Sequence, residues 1–180
     1  MPKYPAILLY LLGVITGLSL AFFTFWNLDY ATSVIPGWHT TVFPPYFIQG
    51  LILSGLAFFQ ILLILVRHVF KFQKYISSDH LEGVNKLILG TGLLVLLTWT
   101  WAYTSAWYSG YLYEQFAFYQ RIFGHFWWIY CGLMCCNLIA PQMFWWRRIR
   151  RHVGWTLGIC LLINIGAYYE RLAGILTAIM

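Results

Sequence analysis

Five long apolar runs constrain this chain more than any other feature of its sequence. They cover approximately residues 5–26, 46–67, 84–108, 123–146 and 154–179. Each run exceeds the length of a β-strand and lacks the alternation of polar and apolar residues that a half-buried strand requires. About 20 apolar residues in a helix cross the hydrocarbon core of a bilayer. The sequence therefore predicts an all-α fold, in which residues 1–180 form one polytopic bundle of about five transmembrane helices.

Composition supports a bilayer rather than water or nucleic acid as the surroundings. Hydrophobic residues make up 61% of the chain and charged residues only 9%, against about 25% charged residues in a soluble domain. The net charge of +6 does not indicate nucleic acid, because basic residues crowd into the segment 147–151 between two apolar runs. Such clusters determine membrane topology. We expect the lipid bilayer, and no nucleic acid, as a partner.

The first run has two interpretations, a signal peptide or a retained helix. Lys3 could serve as the charged flank and Ser19-Leu20-Ala21 as a cleavage site. The apolar stretch continues to Trp26, however, which is longer than the core of a typical signal peptide. A retained first helix is therefore favoured.

The distribution of basic residues predicts the orientation of the helices. The second connector contains Arg67, Lys71, Lys74 and Lys86, and the fourth contains Arg147, Arg148, Arg150 and Arg151. The first connector has no basic residue, and the third has only Arg121. The positive-inside rule then places the N-terminus and these two basic connectors in the cytoplasm, and the C-terminus outside. On the cytoplasmic side, Asp79 and Glu82 are expected to form a capping box where the third helix begins.

The first connector, PGWHTTVFPPYF at residues 36–47, contains no Asp, Glu, Lys or Arg. Its three prolines and its glycine prevent a continuous helix. It is either a stiff loop at the membrane interface or a rigid apolar wall of a binding site. His39 within it is correspondingly either a hydrogen-bonding anchor or a ligand.

Glu170 and Arg171 lie in the fifth run, about 24–26 Å along a helix from Gly154. Burying a charge at such a depth costs at least about 2.5–3.5 kcal/mol. Neighbouring residues on a helix point about 100° apart, so the two cannot simply pair with each other. Asp29, at the outer end of the first helix, is the best candidate partner for Arg171. The pair is either a structural lock between the first and fifth helices or a site for a polar headgroup or for protons.

Metal and haem binding by this chain is not expected. Its four cysteines lie in apolar runs without a C-x-x-C pattern, which favours small, buried, inert packing residues over a cofactor or redox role. Haem ligation would need histidines facing each other from helix centres, and no predicted helix centre contains a histidine. The sequence predicts no metal site, no haem and no iron–sulfur cluster.

Several separated stretches, in the same order along the chain, resemble one membrane-protein family. The first is DYATSVIPGWHTTVFPPYF at residues 29–47; the others are DHLE at 79–82, AWYSG at 106–110, YEQF at 113–116, NLIAPQ at 137–142 and NIGAYYER at 164–171. Together they resemble the integral membrane subunits of the NrfD/polysulfide-reductase family, in particular the quinol-oxidising membrane subunit of alternative complex III. The resemblance covers the C-terminal half of that fold only, because the family has two four-helix bundles.

The resemblance implies a site, a substrate and partners. The family binds quinol, here expected to be menaquinol, beneath an iron–sulfur subunit that docks on the outer face of the bacterial cytoplasmic membrane. By motif, Asp29 and Arg171 correspond to pocket residues, and His39 and Glu170 adjoin them; Asp29 and His39 are the expected proton acceptors. The expected protein partners are the iron–sulfur subunit, a second NrfD-like chain that completes the missing bundle, and cytochrome c subunits.

The leading hypothesis is a quinone-interacting membrane subunit of a respiratory or photosynthetic redox complex. As half of the family fold, the chain is expected to be part of a multi-subunit quinol oxidoreductase and inactive alone. The alternative is a structural membrane anchor that does not touch quinone. Proton translocation is a third hypothesis, although the central bilayer offers only hydroxyls, amides and thiols such as Ser54, Thr98, Cys135 and Asn137.

Overall fold

The computed structural model describes residues 4–31, 43–110, 112–125 and 127–179, and every regular element in these ranges is helical. The α-helices are α1 (Tyr4–Ala31), α2 (Phe43–Val69), α3 (Ser78–Tyr108), α4 (Leu112–Phe123), α5 (Trp127–Leu133), α6 (Ala140–Gln142), α7 (Arg147–Arg151) and α8 (Val153–Ile179). Short 3₁₀ turns cover Phe72–Lys74 and Met143–Trp145. The predicted all-α fold class is confirmed.

Two of these helices are long and apolar enough to cross a membrane. They are the 25 residues Pro45–Val69 within α2 and the 31 residues Ser78–Tyr108 of α3. The apolar part of α1 within the described side chains, Tyr10–Phe25, is shorter. By length and composition these helices indicate association with a membrane, and the crossing of a bilayer by all five runs stays a prediction.

The fourth apolar run is not one regular helix. The helical path begins at Trp127 rather than near residue 123, and it widens into a π-helix at Met134–Ile139 between α5 and α6. The backbone N–H of Ala140 donates to the carbonyl of Cys135, five residues back. Pro141 explains the widening, because its ring would clash with the Asn137 carbonyl in a regular α-helix. Inserted π turns of this kind often mark functional sites.

Helices α2, α3, α6 and α8 supply most of one core. α2 contacts α3 and α8, α8 contacts α5, and α3 contacts α6, while α1 packs chiefly against α2. The core consists of Leu53, Ala57, Ile88, Leu89, Val95, Ala140, Phe144, Ile159, Cys160 and Ile163. Gly92 allows α3 to approach α6 closely, because a Cβ atom there would lie 2.5 Å from Pro141 Cβ. Small residues permit the same close approach between helices in membranes.

Large apolar side chains cover the outer faces of the bundle. Leu97 is 68% exposed, Phe58 55% and Leu161 44%. Contiguous apolar surface of this kind is rare on soluble monomers. The outward face therefore agrees with lipid as the surrounding medium.

The two ends of α3 differ from the sequence expectations. The N-cap is Ser77, whose hydroxyl accepts from the His80 backbone N–H, while His80 Nδ1 accepts from the Ser77 backbone N–H at 3.2 Å. The capping box is thus built by Ser77 and His80, and its predicted assignment to Asp79 and Glu82 is wrong. Beyond the other end, the segment predicted as a plain connector forms the helix α4.

Candidate functional site

Polar side chains of the described bundle gather at two opposite ends. The basic end consists of the C-terminus of α2, the N-terminus of α3, α7 and the start of α8. The aromatic end consists of the start of α2, the C-terminal half of α3, α5 with its π turn, and the C-terminal half of α8. Each end contains one buried or half-buried glutamate, Glu82 or Glu170.

Glu82 is surrounded by cations at the basic end. Its Oε2 accepts a 2.7 Å hydrogen bond from Arg151 Nε, and its Oε1 lies 3.8 Å from Arg150 Nη2 and 3.6 Å from Lys86 Nζ. This hydrogen bond raises the pKa of the Arg151 guanidinium. A carboxylate with three cationic partners is held in its charged form, so Glu82 joins α3 to α7 electrostatically.

Amide side chains complete the basic end. Asn85 Nδ2 donates to the Arg150 carbonyl at 2.9 Å and to Thr156 Oγ1 at 3.1 Å, which joins α3 to α7 and α8. Gln60 Nε2 donates to the Leu81 carbonyl at 3.1 Å, which joins α2 to α3. Buried polar groups with such partners fix the relative register of helices. The hydrogen bonds and ion pairs of the basic end therefore hold α2, α3, α7 and α8 together, which is a structural role.

Glu170 has neutral partners at the aromatic end. Its Oε2 accepts from Asn137 Nδ2 at 3.3 Å, and Asn137 itself is only 4% exposed. Gly50 of α2 faces the carboxylate, since a Cβ atom there would lie 3.5 Å from Glu170 Oε2. Gly166, one turn earlier in α8, makes room for the Asn137 side chain, which a Cβ atom would overlap. No described residue forms an ion pair with Glu170.

Tyr46 and Trp99 place two buried donors beside Glu170. The Tyr46 hydroxyl interacts with Glu170 and with Trp99, and its ring lies edge-on to Trp99 with a centroid separation of 5.3 Å. Among the described residues, neither the Tyr46 hydroxyl nor the Trp99 Nε1–H makes a hydrogen bond with full distance and angle, so both can donate more strongly than they do here. Buried donors normally have partners. This part of the site is therefore suited to accept a small polar group.

Arg171 follows Glu170 on α8 and acts on its carboxyl group electrostatically. Its guanidinium lies over the Phe47 ring, 5.3 Å from the ring centroid. Such a cation–π contact orients the planar group while leaving its N–H donors at the edge. Arg171 therefore lies where α2 begins, next to the end of the charge-free connector.

Further aromatic residues lead from Trp99 to a cavity beyond the end of α3. Trp99 lies 5.9 Å from Tyr130 and 5.8 Å from Tyr103, between ring centroids, and the hydroxyls of Tyr130 and Tyr103 hydrogen-bond to each other. Tyr103 also lines an open cavity of about 820 Å³ against α4. The other lining residues are Trp107, Leu112, Gln115, Phe116, Phe118, Tyr119, Ile122 and Phe123. A cavity of this size and lining is in the range of ligand pockets.

The predicted site residues fall into two groups. Glu170 and Arg171 lie at the aromatic end, 3.3 Å from Asn137 and 5.3 Å from the Phe47 ring centre respectively. Asp29 belongs to the backbone of α1, but its side chain lies outside the described residues, as does the whole of His39. The proposed Asp29–Arg171 pair and the roles of both residues therefore stay predictions.

Sequence reasoning missed Tyr46, Trp99 and Tyr130 as members of the site. A tyrosine directly after two prolines and a tryptophan among threonines read equally well as interfacial aromatics. Asn137 carried a stronger signal, because an amide four residues before a proline lies at a point where the helix must distort. Only the contact between distant helices identifies these residues as neighbours of Glu170.

The cysteines do not gather into a metal site within the described residues. Cys136 and Cys160 are buried, whereas Cys131 and Cys135 are exposed on the outer face of α5 and its π turn. The expectation that all four are buried is wrong for this second pair. Among the described side chains, no three His, Cys, Asp or Glu residues come together to hold a metal ion.

No protein-family model matches this chain, and no curated protein matches it.

Proposed function

We propose that this chain is a quinone-interacting subunit of a multi-subunit membrane redox complex, with the site at its aromatic end. The proposal rests on one observation: residues from three of the stretches that resemble the family lie close together in space. Tyr46 and Phe47 come from the first stretch, Asn137 from the NLIAPQ stretch, and Glu170 with Arg171 from the last. These stretches are far apart in sequence, yet they contribute to one cluster.

The chemistry of the cluster suits a quinol. A quinol has hydroxyl groups that donate to carboxylates, and its oxidised form has carbonyl oxygens that accept from arginine, tyrosine or indole donors. Arg171, Tyr46 and Trp99 supply such donors, and Glu170 supplies an acceptor. Asp29 and His39 are proposed as the first proton acceptors. The two electrons would pass to an iron–sulfur cluster of a partner subunit.

We further propose five bilayer crossings in a bacterial cytoplasmic membrane. The basic end would face the cytoplasm, in agreement with the positive-inside rule, and the aromatic end and the C-terminus would face outwards. A second NrfD-like membrane chain would be the partner of this chain within the membrane, and the iron–sulfur subunit would dock on the outer face. The alternative function, a structural anchor without quinone contact, predicts the same topology and differs only at the cluster.

The substitutions Asp29→Asn and Arg171→Lys distinguish catalysis from anchoring. Asparagine preserves the shape of Asp29 but not its basicity, and a lost general base typically costs about 10²–10⁴-fold in rate. Lysine preserves the charge of Arg171 but loses the planar fork that binds an oxygen group in two places. We expect both variants to assemble and to oxidise quinol slowly, as measured by turnover per assembled complex.

Matched controls are available at the basic end. Asp79→Asn repeats the first change on an exposed aspartate and Arg148→Lys repeats the second on an exposed arginine, so both should leave turnover unchanged. Assembled Asp29→Asn complexes with normal turnover would eliminate the proton-accepting role. Loss of the partner subunits from both variants would instead favour the structural anchor.

A further inference from the structure

We propose that Glu170, Tyr46 and the hydrogen-bonded pair Tyr130–Tyr103 form a proton-transfer path that ends at the aromatic cavity beside α4. The physiological use of this path rests on the proposed function, because quinol oxidation at the aromatic end releases protons that must leave the protein. Its existence as a route for proton exchange does not require quinol, and this allows the two proposals to be tested separately.

The surroundings of Glu170 differ from those of a structural carboxylate. A buried glutamate that serves only stability is normally paired with a cation, because an unpaired buried charge is costly. Glu170 instead contacts the Asn137 amide and faces Gly50. The titratable or charged groups that act on it among the described residues are Tyr46 from α2 and Arg171 from its own helix. A carboxyl group in such a setting can hold a proton and release it.

Tyr46 is the first residue that accepts the proton from Glu170 along the path. Its hydroxyl is buried and interacts with the Glu170 carboxyl group and with Trp99. In the transfer, the O–H bond of protonated Glu170 breaks as a new O–H bond forms on Tyr46. The hydroxyl proton of Tyr46 leaves to the next acceptor in the same step, so that Tyr46 ends neutral.

Trp99 bridges the gap between Tyr46 and Tyr130. Its ring contacts both tyrosines, with centroid separations of 5.3 Å and 5.9 Å, and its Nε1–H is buried and makes no hydrogen bond with full distance and angle among the described residues. A water molecule needs two to four polar partners to be held inside a protein. The Tyr46 hydroxyl interacts electrostatically with Tyr130 as well as with Trp99. A water held by the Trp99 Nε1–H and the Tyr46 hydroxyl would carry the proton toward Tyr130.

The last part of the path is already connected. The hydroxyls of Tyr130 and Tyr103 hydrogen-bond to each other, and Tyr103 lines the open cavity. The Tyr103 ring also packs on Phe118 of α4, with a centroid separation of 4.7 Å. A proton that reaches Tyr103 thus arrives at the surface on the aromatic end, without crossing the bundle to the basic end.

Infrared spectroscopy of the full chain in lipid nanodiscs tests this path without quinol. The carbonyl stretching band of protonated Glu170 is assigned as the band that Glu170→Gln removes. After a pH jump, its response reports proton exchange with the bulk. We expect Tyr130→Phe and Tyr103→Phe, each of which removes one hydroxyl, to slow this exchange by about 10²-fold or more. Tyr108→Phe, on the exposed end of the same helix α3, should leave the rate unchanged.

Two results would overturn the proposed path. One is an unchanged exchange rate in both Tyr130→Phe and Tyr103→Phe. The other is the absence of a pH-sensitive band that Glu170→Gln removes. Helix content and unfolding temperature measured on the same samples exclude misfolding as the cause of slow exchange, and the two variants block the path independently. Slow exchange in a complex that does not oxidise quinol would support the path while refuting the proposed function.

Discussion

Glu82 and Glu170 carry the same functional group at opposite ends of the bundle, yet their partners differ in kind. Glu82 faces three cations, Arg151, Arg150 and Lys86, whereas Glu170 faces the neutral amide of Asn137. Cationic partners favour the ionised carboxylate and bind it in place, while neutral partners leave it free to gain and lose a proton. The partners, rather than the residue type, thus distinguish the ion-paired glutamate of the basic end from the glutamate of the candidate site.

The largest effect on stability that the comparison predicts is that of Glu82→Gln. This change removes the negative charge that three cations share at the junction of α3 and α7, so we expect a marked fall in unfolding temperature. Glu170→Gln keeps an acceptor for Asn137 Nδ2 and should change the unfolding free energy by no more than about 1 kcal/mol. Thermal unfolding of both variants in detergent micelles is the measurement, and equal falls would remove the distinction between the two ends.

A smaller effect is expected from Gly166→Ala, which tests the packing that holds Asn137 against Glu170. The added Cβ atom would overlap the Asn137 side chain, and overpacking of this kind typically costs about 1–3 kcal/mol. Gly158→Ala is the matched control on the same helix, because nothing lies within 4 Å of its Cβ position. The control should be neutral or stabilising by up to about 1 kcal/mol, since alanine favours helix more than glycine.

The result for Gly166 is read from equilibrium unfolding of the two variants side by side. If both alanine variants were equally stable, the close approach of α8 to the π turn would not be needed to support Glu170.

The smallest effect is expected at the start of α3. Ser77→Ala removes the N-cap hydroxyl that accepts from the His80 N–H, which should cost about 1 kcal/mol. Ser109→Ala, at the other end of α3, removes only a hydroxyl that donates back to Ala106 within the helix, and its effect should be smaller. Urea unfolding of the two variants makes the comparison, and a larger loss for Ser109→Ala would contradict the assignment of the cap.

The helical fold could be predicted from the sequence because the helix is the low-energy conformation of a long apolar run in lipid. A backbone without water must satisfy its hydrogen bonds internally, and helices do so regardless of their neighbours. The predicted range 154–179 thus matches α8 to within one residue, and the range 46–67 lies inside α2, which begins three residues earlier and ends two residues later. The run 123–146 was less well predicted, because the distortion before Pro141 depends on local backbone sterics that hydropathy does not record.

The location of Glu170 and Arg171 in the C-terminal part of the last helix could also be read from the sequence, since it needs only the rise per residue. The sequence by itself could not assign their partners. Asp29 was chosen for Arg171 by charge, and that pairing stays a prediction; the described contacts add Phe47 under the Arg171 guanidinium and Asn137 beside Glu170.

The helices, the segregation of charge to their ends and the position of Glu170 and Arg171 late in an apolar run could all be read from the residues alone, because each depends on one segment and its medium. That Glu82 contacts cations while Glu170 contacts Asn137 and Tyr46 depends on how the helices pack. Side chains more than thirty residues apart become neighbours through the rotation and register of packed helices. The rotation and register of the helices are set by small residues such as Gly166 and Gly92 and by the π turn before Pro141.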